Sequence, residues 1–230
     1  MIGRSGEREG WNPRRSTVRA LKALVFLACL VPLGLLARKG FTDQLGANPI
    51  EVITHSTGKW TLTFLLITLS VTPVRKLTGL LWLIRFRRML GLFAFFYGSL
   101  HFVTYIWLDK FFDLQDMLKD IGKRPFITVG FTAFVLLIPL ALTSTQKMVL
   151  RLGGRRWRWL HRLTYLSATA GVIHFLWLVK KDITRPVIYG SILAVLLSYR
   201  VMVWLAPTVR RGLRSPAPSG SAALKASAEP

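Results

Sequence analysis

Six stretches of this chain are apolar enough, and long enough at roughly 20 residues each, to cross the hydrocarbon core of a bilayer. They run approximately over residues 18–37, 49–72, 89–108, 125–143, 159–178 and 186–205. In lipid every backbone polar group must be satisfied internally, so only helices or a closed barrel can span. Stretches of this length without two-residue alternation are helices, and the fold class that follows is an all-α bundle of six transmembrane helices. The overall composition agrees: 52% of the 230 residues are hydrophobic and the mean hydropathy is +0.42, above what a soluble domain of this length carries. The first stretch is followed by Arg38 and Lys39, is long for a signal-peptide core and has no small-x-small cleavage site, so it reads as a retained span.

Charge orients the bundle. Cytoplasmic loops collect Lys and Arg, and an N-terminus placed inside gathers Arg4 to Lys22, Arg75 to Arg88, Lys147 to Arg162 and Arg200 to Lys225 on one face, 22 of the 32 basic residues. Seven of the ten acids, among them Asp109, Asp113, Asp116 and Asp120, fall on the other face. Both termini are therefore expected in the cytoplasm. The net charge of +22 is explained by topology and anionic lipid headgroups, with no nucleic acid among the expected partners. A basic tail over 1–17, a helical domain over 18–205 and a disordered cytoplasmic tail over 206–230 complete the expected organisation; the last is rich in Ala, Pro, Ser and Gly.

Asn48, Pro49 and Glu51 predict a helix start with an N-cap, a proline in the first turn and an acid beside it. Pro73 is expected to end that span, and Pro125 and Pro186 to open the fourth and sixth. The connection from Asp109 to Arg124 interleaves Phe111, Phe112, Leu114, Met117, Leu118 and Ile121 with acids and lysines, which predicts an amphipathic helix lying on headgroups or docking a soluble partner. The single Cys29 excludes a disulfide framework or thiolate metal site. A Gly-rich dinucleotide motif is absent, and the residues after the last span are too few for a flavin or nicotinamide domain. Neither a Ser-His-Asp set nor an intramembrane carboxylate pair is evident, which leaves redox chemistry through a cofactor.

The chemistry concentrates on histidine. An imidazole within a span is costly unless it has a partner, so each is a functional-site candidate. Rising 1.5 Å per residue from Arg88, His101 lies about 20 Å up the third span, and His174 about 24 Å up the fifth. Two imidazoles at one depth can supply both axial ligands of a low-spin heme; the alternative is two polar residues hydrogen-bonding across helices. His161 stands thirteen residues before His174, about 20 Å lower if the helix is continuous. It is open to four roles: a lone axial ligand, a propionate partner, a contact to quinone or flavin, or a structural interfacial residue. Arg87 and Arg88 occupy the opposite level on the third span, as topology determinants or as a fork for propionate or phosphate. His55, near the outer end of the second span, is either structural or a cofactor or quinone contact.

The segments WLHRLTYLSATAGVIHFLW around His161 and His174 and GLFAFFYGSLHFVTY around His101 resemble the ferric-reductase-like transmembrane domain. More closely, THSTGKW, SVTPVR, RFRRMLGL, KRPFITVG and LALTSTQ occur in the order seen in the MsrQ family, the heme-binding membrane subunits of the bacterial protein-methionine-sulfoxide reductase system. The resemblance covers about residues 18–205. It implies a six-helix cytochrome with b-type heme and FMN, whose heme ligands carry over to His101, His161 and His174. It further implies a periplasmic molybdenum-containing methionine sulfoxide reductase as electron acceptor. The donor is expected to be quinone or a separate cytoplasmic flavin reductase. FMN and the reductase partner rest on the resemblance alone. A ferric-chelate or superoxide-producing reductase is the alternative, disfavoured by the missing dehydrogenase domain, and a transporter with structural histidines is a third.

Overall fold

The computed structural model describes residues 13–179 and 182–212. Among the described residues the chain is helical, with turns and no strand. Helix α1 runs Arg15–Phe41, α2 Pro49–Thr78 and α3 Ile84–Thr104, the last continuing as a π-helical turn over Tyr105–Asp109. The short α4, Leu114–Lys123, leads into α5, Pro125–Leu142, and α6, Gln146–Leu160; α7, Leu163–Leu178, and α8, Thr184–Gly212, follow. Helix α8 continues to Gly212, past residue 206 where a disordered tail is expected to start; the rest of that tail, and the start of the N-terminal one, lie outside the described residues.

Among the described residues four segments are long and apolar enough to cross a membrane: Arg15–Phe41, Leu81–Asp109, Pro125–Leu142 and Thr184–Leu205. The two other expected spans differ for identifiable reasons. Helix α7 has only 16 residues. Helix α2 has the length, but its threonines and Lys59 dilute its hydropathy. Those threonines cost little inside a helical bundle, since Thr57, Thr61, Thr63 and Thr68 each donate to a carbonyl four residues back in their own helix. Helix α2 is also heavily buried, with Phe64, Leu65, Leu66 and Leu69 in the core. The hydropathy signal thus fades where the helix turns to its neighbours rather than to lipid. Helices α2 and α3 pack closely on each other, as do α5 and α7, so the centre of the molecule consists of two helix pairs.

The predicted start of α2 is present: the Asn48 side chain accepts from the Glu51 N–H, with Pro49 in the first turn. Pro73, however, does not end the helix. It is buried inside α2, which continues to Thr78 and stops at Gly79, a left-handed cap with φ 74°. Proline removes the N–H that would bond the carbonyl four residues back, here that of Leu69. A donor comes instead from the far end of the sequence, as Arg200 Nη2 of α8 reaches the Leu69 carbonyl at 2.9 Å. A related repair occurs near Pro32 in α1. The Tyr97 hydroxyl of α3, 1% exposed, donates to the Cys29 carbonyl at 2.8 Å and accepts from the Leu33 N–H at 3.2 Å. Tyrosine thereby splices α1 onto α3 through the backbone that proline loosens.

Candidate functional site

His101 and His174 meet between the two helix pairs. His101 lies in the last turn of α3 and His174 in α7, yet their ring centres are 6.2 Å apart and their planes cross at 72°. Each is held by the other member of its helix pair. His101 Nδ1 donates to the Thr54 carbonyl of α2 at 2.9 Å, and His174 Nδ1 to the Phe126 carbonyl of α5 at 2.7 Å. A carbonyl can only accept, so both bonds place the proton on Nδ1 and leave Nε2 with its lone pair free for a metal.

Glycines give these rings room. A Cβ on Gly58 of α2 would stand 3.0 Å from His101 Nδ1, and one on Gly130 of α5 only 2.6 Å from His174 Nδ1. The π-helical turn begins four residues after His101, a local widening that often accompanies functional sites. His55 is exposed but within electrostatic reach of His101, and no contact joins it to His174.

His161 lies elsewhere and is held differently. The continuous helix expected over 159–178 is interrupted: α6 ends at Leu160, His161 caps it, and α7 begins at Leu163. The apolar sequence hides this break, which is made by the turn bonds His161 N–H to Trp157 and Arg162 N–H to Trp159, both 3.0 Å. His161 therefore does not share a helix with His174, and the depth and angle expected from a single helix do not apply. Its Nδ1 donates to the Trp157 carbonyl at 3.1 Å, its ring stacks on Trp157 at 3.8 Å, and its Nε2 is buried without a hydrogen bond. Trp157 is anchored in turn by its indole N–H, which donates to the Thr143 carbonyl at 2.9 Å.

Arg87 and Arg88, adjacent in sequence, separate in space. Arg87 turns inward, within electrostatic reach of His161, Arg200 and Tyr165. Arg88 is exposed and lines a groove between α1 and α3. Arg200 donates Nη1 to the Tyr165 hydroxyl at 2.6 Å, besides its bond to Leu69, and its guanidinium lies 4.9 Å from the Tyr165 ring centre. Its Nε and that of Arg75 are buried without partners. Arg75, Arg200 and Tyr165 were invisible as site residues in the sequence because they read as topology markers or as part of an apolar span.

Residues 56–172 match the family described as ferric reductase like transmembrane component. A protein-methionine-sulfoxide reductase heme-binding subunit MsrQ from Herminiimonas arsenicoxydans is 58% identical over 193 residues, covering 83% of this chain and 88% of the relative. The chain belongs to the MsrQ family. An MsrQ from Ralstonia nicotianae is 54% identical over 209 residues, covering 90% and 94% of the two chains, and one from Rhodospirillum rubrum is 51% identical over 195 residues, covering 85% and 92%.

The family name raises the question of whether heme suits these residues, and the donor set answers it. No group of three or more His, Cys, Asp or Glu among the described residues could hold a free ion, so a metal held by the two imidazoles must bring its other ligands with it. A macrocycle does that. His101 and His174, with ring centres 6.2 Å apart and Nε2 free on each, would hold the iron of such a group through those two nitrogens. At the other end of the MsrQ bundle, buried cationic nitrogens without acceptors fit the anionic part of a cofactor.

Proposed function

We propose that this protein is the electron-transfer subunit of a methionine sulfoxide reductase system, binding b-type heme through His101 and His174. The observation that carries the reading is the pair of rings 6.2 Å apart, each with Nδ1 committed to a carbonyl of a neighbouring helix. The names of relatives at 51–58% identity, heme-binding subunits of that system, support it. When bound, heme supplies a one-electron redox centre whose potential depends on its axial ligands and burial. The protein's part is to fix the ligands. Thr54 and Phe126 set the tautomer and orientation of the two rings, and Gly58 and Gly130 let backbone approach them.

Six spans with both termini cytoplasmic place the His101–His174 pair toward the periplasm of a bacterial inner membrane, and the basic face of the chain supports that orientation. The electron acceptor on that side is a periplasmic molybdenum-containing methionine sulfoxide reductase, and the outcome is repair of oxidised periplasmic proteins. Electrons enter from the cytoplasmic side, from quinone or a cytoplasmic flavin reductase. His161, with Trp157 beneath it and Arg87 beside it, forms the second cofactor contact there. FMN, expected from family resemblance, would find an aromatic surface in Trp157 and an anion partner in Arg87.

The test is spectroscopic. Purified wild-type protein is expected to show a reducible low-spin spectrum with heme quantified as pyridine hemochrome, and His101→Ala and His174→Ala each to lose it. An unchanged spectrum in both variants would sink the assignment.

A further inference from the structure

A groove of about 550 Å³ opens between α1 and α3, and its chemistry changes along its length. At the basic end it is lined by Lys22 of α1 and by Arg85 and Arg88 of α3. Further along, Phe26, Leu92 and Phe96 line it. Phe26 meets Phe93 edge-on at 5.2 Å and bridges the two helices. From Arg85 to Phe96 the groove follows α3 for about 16 Å, close to the depth of one leaflet of a 30 Å hydrocarbon core.

Among the described residues the three cations have no carboxylate paired with them. Every ion pair among the described residues lies elsewhere, on Lys110, Asp116, Asp120 and Arg124. Three cations gathered at one end of an apolar slot match an anion attached to an apolar chain. A quinone presents a neutral ring to these charges. A second copy of the chain has no described acid at its basic end to offer them. A phospholipid with an anionic headgroup satisfies both halves of the groove: its phosphate takes the charge-assisted bonds from the arginines and lysine, and an acyl chain covers the phenylalanines and Leu92.

From this arrangement we infer that the α1–α3 groove is a specific site for one anionic phospholipid of the inner leaflet. The placement in that leaflet rests on the membrane orientation proposed above. Arg88 accordingly serves this site, while Arg87, its neighbour in sequence, serves the interior.

Native mass spectrometry of the full-length protein, with added phosphatidylglycerol or phosphatidylcholine, tests the inference. Wild type is expected to retain one phosphatidylglycerol, and to retain phosphatidylcholine about tenfold less, because phosphatidylcholine offers the same phosphate but adds a choline cation that the three basic side chains repel. Arg85→Ala/Arg88→Ala and Lys22→Ala should each lower phosphatidylglycerol retention, and Leu92→Trp should do so with all three cations intact. Inorganic phosphate should not displace the lipid. Arg155→Ala/Arg156→Ala, which removes two exposed cations of α6 away from the groove, should leave retention unchanged. Equal loss in this control, equal retention of the two lipids, or displacement by phosphate would each overturn the site. The visible spectrum of every variant reports separately on folding and on the His101–His174 reading, so lipid retention by a protein that binds no heme would overturn only the latter.

Discussion

His101 and His174 are each gripped by a neighbouring helix, through the Thr54 and Phe126 carbonyls, whereas His161 is held by Trp157 of its own turn and buries Nε2 without a hydrogen bond. Around the first two, rings and glycines already fit together. Arg200, which like His161 lies within electrostatic reach of Arg87, buries an Nε that has no acceptor. The difference teaches what each end is prepared for. Cross-helix bonds preset ligand atoms before any metal arrives, which lowers the ordering cost of binding. Unpaired buried donors instead carry a desolvation penalty that an incoming acceptor relieves.

The largest effects should come from crowding the preset end. Gly130→Ala would put a methyl group 2.6 Å from His174 Nδ1, and Gly58→Ala 3.0 Å from His101 Nδ1. Overpacking of this kind costs about 1–3 kcal/mol, so Gly130→Ala should lower heme affinity about tenfold or more. Gly58→Ala should keep its heme with a shifted midpoint potential. Helix propensity alone predicts the reverse, stabilisation by about 1 kcal/mol at either site. Equal, full heme retention with unshifted potentials would show that the glycines do not seat the ligands.

The next effect separates the two ends. His161→Ala and Arg87→Gln should leave the low-spin spectrum of the His101–His174 pair intact while reducing flavin or donor affinity about tenfold, the value of a charge-assisted hydrogen bond. Flavin quantitation after gel filtration, alongside the hemochrome, reads both. Should His161→Ala erase the low-spin signal, the two ends could not be treated as separate sites.

Much of this was legible beforehand. The rise per residue alone placed His101 and His174 at one depth, and Asn48 with Pro49 marked the start of α2. The break after Leu160 was not legible, because residues 159–178 are apolar on both sides of it and the turn is made by backbone bonds. Pro73 misled for a related reason. A proline reads as a helix end when its orphaned carbonyl has no other donor, and the donor here, Arg200, is 131 residues from Leu69. Arg87 and Arg88 look equivalent in sequence, but one helical step of about 100° sends one inward and the other to the α1–α3 groove. The amphipathic α4 was legible as a helix, whereas its long-range tie to Lys110 was not.

That tie gives the smallest effect, and it extends the contrast to charge. Beyond the π-helical turn, Lys110 lies 2.6 Å from Asp116 and 2.5 Å from Asp120, and its side chain is only 11% exposed. The Thr128 hydroxyl donates to the Ile121 carbonyl and fastens the same helix to α5. Hydrogen bonding to Asp116, then to Asp120, raises the Lys110 pKa, and bonding to Lys110 lowers that of Asp116. The signs give opposite edges. A lowered carboxylate pKa contributes stability above the ordinary value near 4, lost as pH falls through the folded value. A raised lysine pKa contributes stability below the ordinary value near 10.4, lost as pH rises through the folded one. Amide-exchange protection in residues 114–123, taken relative to the intrinsic rate at each pH, should therefore stay flat between those limits and fall outside them. Asp116→Asn should remove most of the acid edge, leaving the alkaline one through Asp120. The change should be small because Asp116 is exposed to water. An acid edge of undiminished size in Asp116→Asn would show that α4 is held by its apolar contacts and not by this pair.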